Sequence, residues 1–108
     1  MRKILSTSEI VQNLDLEVEP KELCAAAEAD YDDRKSTLVI KLDAFVRQVH
    51  HAGPDVCTRP DWLPKTETLR EGVSSEEASE LARDIFHRWT KKVRESAATA
   101  RSIQPQSV

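Results

Sequence analysis

PKELCAAAEADYDDRKSTLVIKLDAFVRQVHH, residues 20–51, sets the architecture expected of the whole chain. Pro20 suits the first position of a helix, where a missing N–H costs nothing. Leu23, Ala27 and Tyr31 then fall on one side at helical spacing, and Leu38, Leu42, Phe45, Val46 and Val49 fall on one side further along. At about 100° per residue both groups keep to one broad stripe. The stretch therefore reads as a single helix, 20–51, about 48 Å long, closed by the helix stop Gly53-Pro54. The polar interval Asp32-Asp33-Arg34-Lys35-Ser36-Thr37 is where it would otherwise break. An alternative takes residues 37–42, Thr-Leu-Val-Ile-Lys-Leu, as a β-strand, because these residue types favour strands and Ile40 falls off the helical stripe.

Outward from this stretch, the C-terminal part carries a second helical signal. Ser74-Ser75-Glu76-Glu77 is a Ser-x-x-Glu capping box, in which each side chain satisfies a backbone N–H at the helix start. Ala78, Leu81, Ala82, Ile85, Phe86, Trp89, Val93, Ala97 and Ala100 follow at steps of three and four. A helix over 75–100 results. Its acids cluster early and its bases later, as the helix dipole favours. Upstream, Ser6-Thr7-Ser8-Glu9 repeats the Ser-x-x-Glu pattern and predicts a short helix at 7–14, followed by an extended acidic stretch to Glu19. Residues 54–73, with Pro54, Pro60 and Pro64, form a long connection that holds Trp62-Leu63 and a short helix at 66–71.

The expected fold is thus all-α. It is a small helical bundle built on a long hairpin, 20–51 against 75–100, with the N-terminal helix and the proline-containing connection covering it. The alternative is α+β with a strand near 37–42. One domain over 1–101 and a frayed tail over 102–108 complete the organisation.

Composition narrows the function. The chain has 108 residues, two Gly, two Cys and a net charge of −3. Two Gly leave no room for a glycine-rich phosphate loop. Two Cys cannot build a disulfide scaffold, which points to a reducing, cytoplasmic setting. No apolar run is long enough to cross a bilayer, and no signal peptide is expected. Leu, Ile, Val and Phe total 25 residues. Such a thin core is often completed by a partner or a second copy. Residues 1–34 carry four bases and nine acids, whereas 86–101 hold Arg88, Lys91, Lys92, Arg94 and Arg101 against Glu95 alone.

Five constellations could carry chemistry. His50, His51 and Cys57 are residue types that bind borderline metal ions, and His51 and Cys57 would converge across the Gly53-Pro54 turn. Cys24 would lie about 39 Å from His50 on a continuous helix, so it joins them only if the chain folds back near 32–36 or in a dimer. Arg83, His87, Lys91 and Arg94 share one face of the last helix and could follow phosphates, but Glu80 and Asp84 border that face and the chain as a whole is acidic. His87 lacks the sequence context of a phosphotransfer histidine. Asp30, Asp32 and Asp33 cluster without an apolar pocket to tune them, so no catalytic residue is assigned and no cofactor is expected. Trp62-Leu63, held between Asp61 and Pro64, either plugs the open end of the helical hairpin or offers a stiff aromatic anchor of the kind protein interfaces use.

The function expected from the sequence is that of a small accessory or regulatory protein that is not an enzyme. It would bind another protein, as a homodimer, through Trp62 and Leu63, with Arg83, His87, Lys91 and Arg94 steering the encounter. The alternatives are a metal- or redox-responsive protein using His50, His51 and Cys57, and a nucleic-acid-binding regulator. Neither a membrane nor, on balance of charge, a nucleic acid is the expected partner.

Overall fold

A computed structural model describes residues 1–15, 20–48, 56–58 and 63–103. The fold is an antiparallel sheet with one C-terminal helix, and the all-α bundle is overturned. Strand β1 is Arg2–Asp15, β2 is Pro20–Asp32 and β3 is Thr37–Gln48. Short strands β4, Val56–Thr58, and β5, Thr66–Glu71, follow, and helix α1 spans Ser75–Ile103. The sheet runs β1-β2-β3, and its fourth lane is shared. β5 pairs with Thr37 to Leu42 of β3, and β4 pairs with Val46 to Gln48.

The stretch read as one helix is a β-hairpin. Leu23, Ala25, Ala27, Ala29 and Tyr31 of β2 are all buried, and so are Leu38, Ile40, Leu42, Ala44 and Val46 of β3. That is strict period-two alternation, which puts every second side chain on one face of a strand. The ladder pairs each member of the first set with one of the second, from Leu23 opposite Val46 to Tyr31 opposite Leu38. The strand considered near 37–42 is present within β3. The break foreseen at 32–37 is the hairpin turn. Asp32 Oδ1 accepts the N–H groups of Arg34 and Lys35 at 3.0 and 3.3 Å, an Asx arrangement that closes turns. Ser36 takes the left-handed conformation, φ 49°.

The helix expected at 7–14 is also overturned, because those residues lie in β1 and its Ser-x-x-Glu pattern caps nothing helical. Bulges between Lys3 and Leu5 and between Ile10 and Gln12 interrupt its pairing with β2. Each bulge flips the in-out parity of the strand. The helix expected at 66–71 is likewise strand β5. Its β-branched Thr66 and Thr68 fit an edge lane better than a one-and-a-half-turn helix.

The C-terminal helix lies where the sequence places it, three residues longer than the 75–100 expected. Ser74 Oγ accepts the Glu77 N–H at 3.2 Å, half of the capping box. Ala78, Ala82, Ile85, Trp89, Val93 and Ala97 form its buried stripe. This stripe packs across β1, β2 and β3 on one face of the sheet. The alanines of β2 let the helix approach closely there. Three tethers hold it. Tyr31 Oη donates to the Val73 carbonyl. Trp89 Nε1 donates to the Asp43 carbonyl at 2.8 Å, in the part of β3 that neither β4 nor β5 pairs. Arg94 Nε donates to the Val11 carbonyl at 3.1 Å, at the second bulge of β1.

Candidate functional site

The alternate side chains of the strands take the face opposite α1, and among the described elements none packs there. Register assigns its occupants. One row runs Ile10, Cys24, Phe45 across β1, β2 and β3, and another runs Lys3, Asp30, Val39, Leu69 into β5. Between them lie Ser8, Ala26, Asp43 and then Ser6, Glu28, Lys41, Glu67.

Two properties set this face apart. The first is exposed apolar surface. Three large apolar side chains are exposed among the described residues, Met1, Ile10 and Leu69, and the last two belong here, at 47% and 53% exposure. Phe45 is half-buried beside Cys24, which is a buried thiol outside the helix-side core. The second is charge. Glu22, Glu28, Asp30, Asp32, Asp43, Glu67 and Glu71 take this face, against Lys3, Lys41 and Arg47. Two of the three bases are engaged within it. Arg47 Nη2 meets Glu22 Oε1 at 2.8 Å, and Lys3 Nζ meets Glu28 Oε1 at 3.5 Å. A depression of about 530 Å³ opens beside the interrupted fourth lane, with Glu28, Lys41, Asp43, Lys65 and Glu67 in its lining. The outcome is an acidic surface with apolar side chains in two separate rows.

The residues singled out from the sequence sit elsewhere. Arg83, His87 and Lys91 are exposed on α1, off its buried stripe. Arg94 is also off that stripe, but its Nε is bonded to β1. Leu63 is buried in the helix-side core, so it is not displayed to a partner. Trp62, His50 and His51 lie outside the described residues. Cys57 stands opposite Arg47 in the ladder, and the turn at 33–36 brings β2, with Cys24, back alongside β3. Among the described residues no group of three His, Cys, Asp or Glu side chains could hold a metal ion. Also among them, no helix is long and apolar enough to cross a membrane.

Reading from the sequence missed Ile10, Phe45, Leu69, Glu28 and Glu67. Their signal is period-two alternation, which becomes visible only once β2 and β3 are read as strands.

No protein-family model, curated protein or solved structure matches this chain.

Proposed function

We propose that the chain is a non-catalytic protein-binding module, of accessory or regulatory type, whose second sheet face, on which no described element packs, holds a basic, partly apolar segment of another protein. The observation that carries this reading is the placement of Ile10 and Leu69, exposed on a face where carboxylates outnumber bases. Apolar anchors supply affinity, and the acidic surround sets on-rate and register. A lysine or arginine of the partner would meet Glu28, Asp43 and Glu67 in the depression, where these three carboxylates outnumber Lys41 and Lys65. An apolar neighbour two residues along, on the same side of an extended segment, would reach Phe45 and Ile10.

Charge also argues against two copies meeting face to face here, since like-charged surfaces would oppose each other. A homodimer, if formed, would use another surface. The buried Cys24 thiol fits a reducing, cytoplasmic setting.

The test is fluorescence anisotropy with a labelled lysine–leucine peptide of repeat Lys-Ser-Leu-Ser, which puts lysine and leucine on one side of an extended segment, and its glutamate counterpart as control. Binding of the lysine peptide is expected to weaken with salt and to fall about ten-fold or more in Glu28→Lys/Glu67→Lys, with the secondary structure retained by circular dichroism. Equal binding of the glutamate peptide, or indifference to the charge reversal, would contradict the reading.

A further inference from the structure

The fourth lane of the sheet extends beyond the cover of α1. The helix packs on β1, β2 and β3 and not on β5. Thr66, Thr68 and Arg70 of β5 stand opposite Leu42, Ile40 and Leu38, and so take the helix side of the sheet. They and the flank of α1 border a shallow, open groove of about 310 Å³. From the helix come Arg88 and Lys92, one turn apart, with the edges of Ile85 and Trp89, and Leu42 lies at its base.

This lining has a definite chemistry. It contains three cations, two hydroxyls and an apolar floor, and no carboxylate. Lys92 Nζ sits 6.0 Å from the centroid of the Trp89 ring. Arg88 Nη2 is 2.8 Å from Asp84 Oδ2, but both side chains are about two-thirds exposed, at 65% and 64%. An ion pair so hydrated contributes little and gives way to a better-held anion. Guanidinium and ammonium donors with neighbouring hydroxyls match the oxygens of a carboxylate or phosphoryl group. The stems of Arg88 and Lys92, with the threonine methyls, extend the apolar floor. The volume lies at the lower end of the range for small-ligand clefts.

We propose that the groove between β5 and α1 binds a small amphipathic organic anion. Its carboxylate or phosphoryl head meets Arg70, Arg88 and Lys92, and its compact apolar body lies over Trp89, Ile85 and Leu42. The groove lies on the helix side of the sheet and its sign is opposite to that of the acidic face, although its lining shares Leu42 and Thr66 with the depression there. The binding follows from the lining alone and does not rest on the reading given for that face.

The experiment uses 8-anilino-1-naphthalenesulfonate as a fluorescent anionic probe on the full chain. Saturable enhancement is expected, together with shifts of the Thr66 and Thr68 amide resonances and of the Trp89 indole N–H resonance. Arg88→Glu/Lys92→Glu should weaken binding about ten-fold or more, each charge-assisted contact being worth several-fold. Both side chains are exposed, so folding should survive, and Thr68→Val offers a milder second variant. Competition by sodium octanoate supports the proposal and marks the body as aliphatic. Competition by phenyl phosphate supports it and marks an aromatic phosphoryl compound. Displacement by neither overturns it, as does equal displacement by inorganic phosphate. Binding indifferent to Arg88→Glu/Lys92→Glu, with shifts confined to Ile10 and Leu69, also overturns it and assigns the probe to the sheet face.

Discussion

The two faces of the sheet are built from the same three long strands and do different work. Toward α1, β2 and β3 present Leu23, Ala25, Ala27, Ala29, Tyr31, Leu38, Ile40, Leu42, Ala44 and Val46, all buried. Away from it, the intervening residues are Glu22, Cys24, Ala26, Glu28 and Asp30, then Val39, Lys41, Asp43, Phe45 and Arg47. The first set is apolar at every position, whereas the second mixes charge with a few apolar groups. A face that only had to meet water would not need Ile10, Phe45 and Leu69. A face that only had to close a core would not tolerate the carboxylates, because burying them without partners is expensive. The contrast separates what holds the chain together from what is available to a partner.

That contrast can be broken most forcefully from the helix side. Leu38→Ala or Ile40→Ala removes a fully buried side chain from under the helix and should cost about 2–5 kcal/mol, read as a lowered denaturation midpoint in urea. Ala27→Leu places a large side chain where the β2 alanines let the helix come close. A loss of about 1–3 kcal/mol is expected, and unchanged stability would show that the close approach is not needed. Trp89→Phe keeps most of the ring but leaves the Asp43 carbonyl without the indole donor. About 1–3 kcal/mol should be lost, with the C-terminal half of α1 exchanging its amides faster. Ser74→Ala removes the side-chain cap on the Glu77 N–H, at about 1 kcal/mol, measurable as a small drop in melting temperature. The smallest effect on stability belongs to the other face. Ile10→Ser should change it by no more than about 0.5 kcal/mol while weakening capture of the lysine–leucine peptide.

How much of this was legible in the sequence depends on the element. α1 was, because its apolar positions advance by three and four and by no regular two, and because Ser74 and Glu77 mark its start. The β2–β3 hairpin was obscured by arithmetic. Leu23, Ala27 and Tyr31, like Leu38, Leu42 and Val46, are spaced by four, and four residues are both about one helical turn and two strand periods. The discriminating positions are Ala25, Ala29, Ile40 and Ala44. Three of them are alanine, which favours helices and carries a weak apolar signal. Ile40 was the clear sign, since it fits alternation and not the helical stripe. In β1 the two bulges break alternation: Lys3 shares the outer row with Asp30 while Leu5 stands opposite buried Ala29, and Ile10 shares the outer row with Cys24 while Gln12 stands opposite buried Leu23. No fixed period describes that strand. The candidate site was hidden for the same reason, because a second face exists only once the sheet does. The basic row on α1 was readable as a stripe, but Arg94 proves to tie the helix to β1.

The most direct test of the division between the two faces is a heteronuclear NMR titration of labelled protein with the lysine–leucine peptide. Shifts should concentrate at Ile10, Glu28, Lys41, Glu67 and Leu69 and leave the exposed side of α1 unmoved. Shifts centred on Arg83, His87 and Lys91, with the sheet face silent, would contradict it and return the binding surface to the helix.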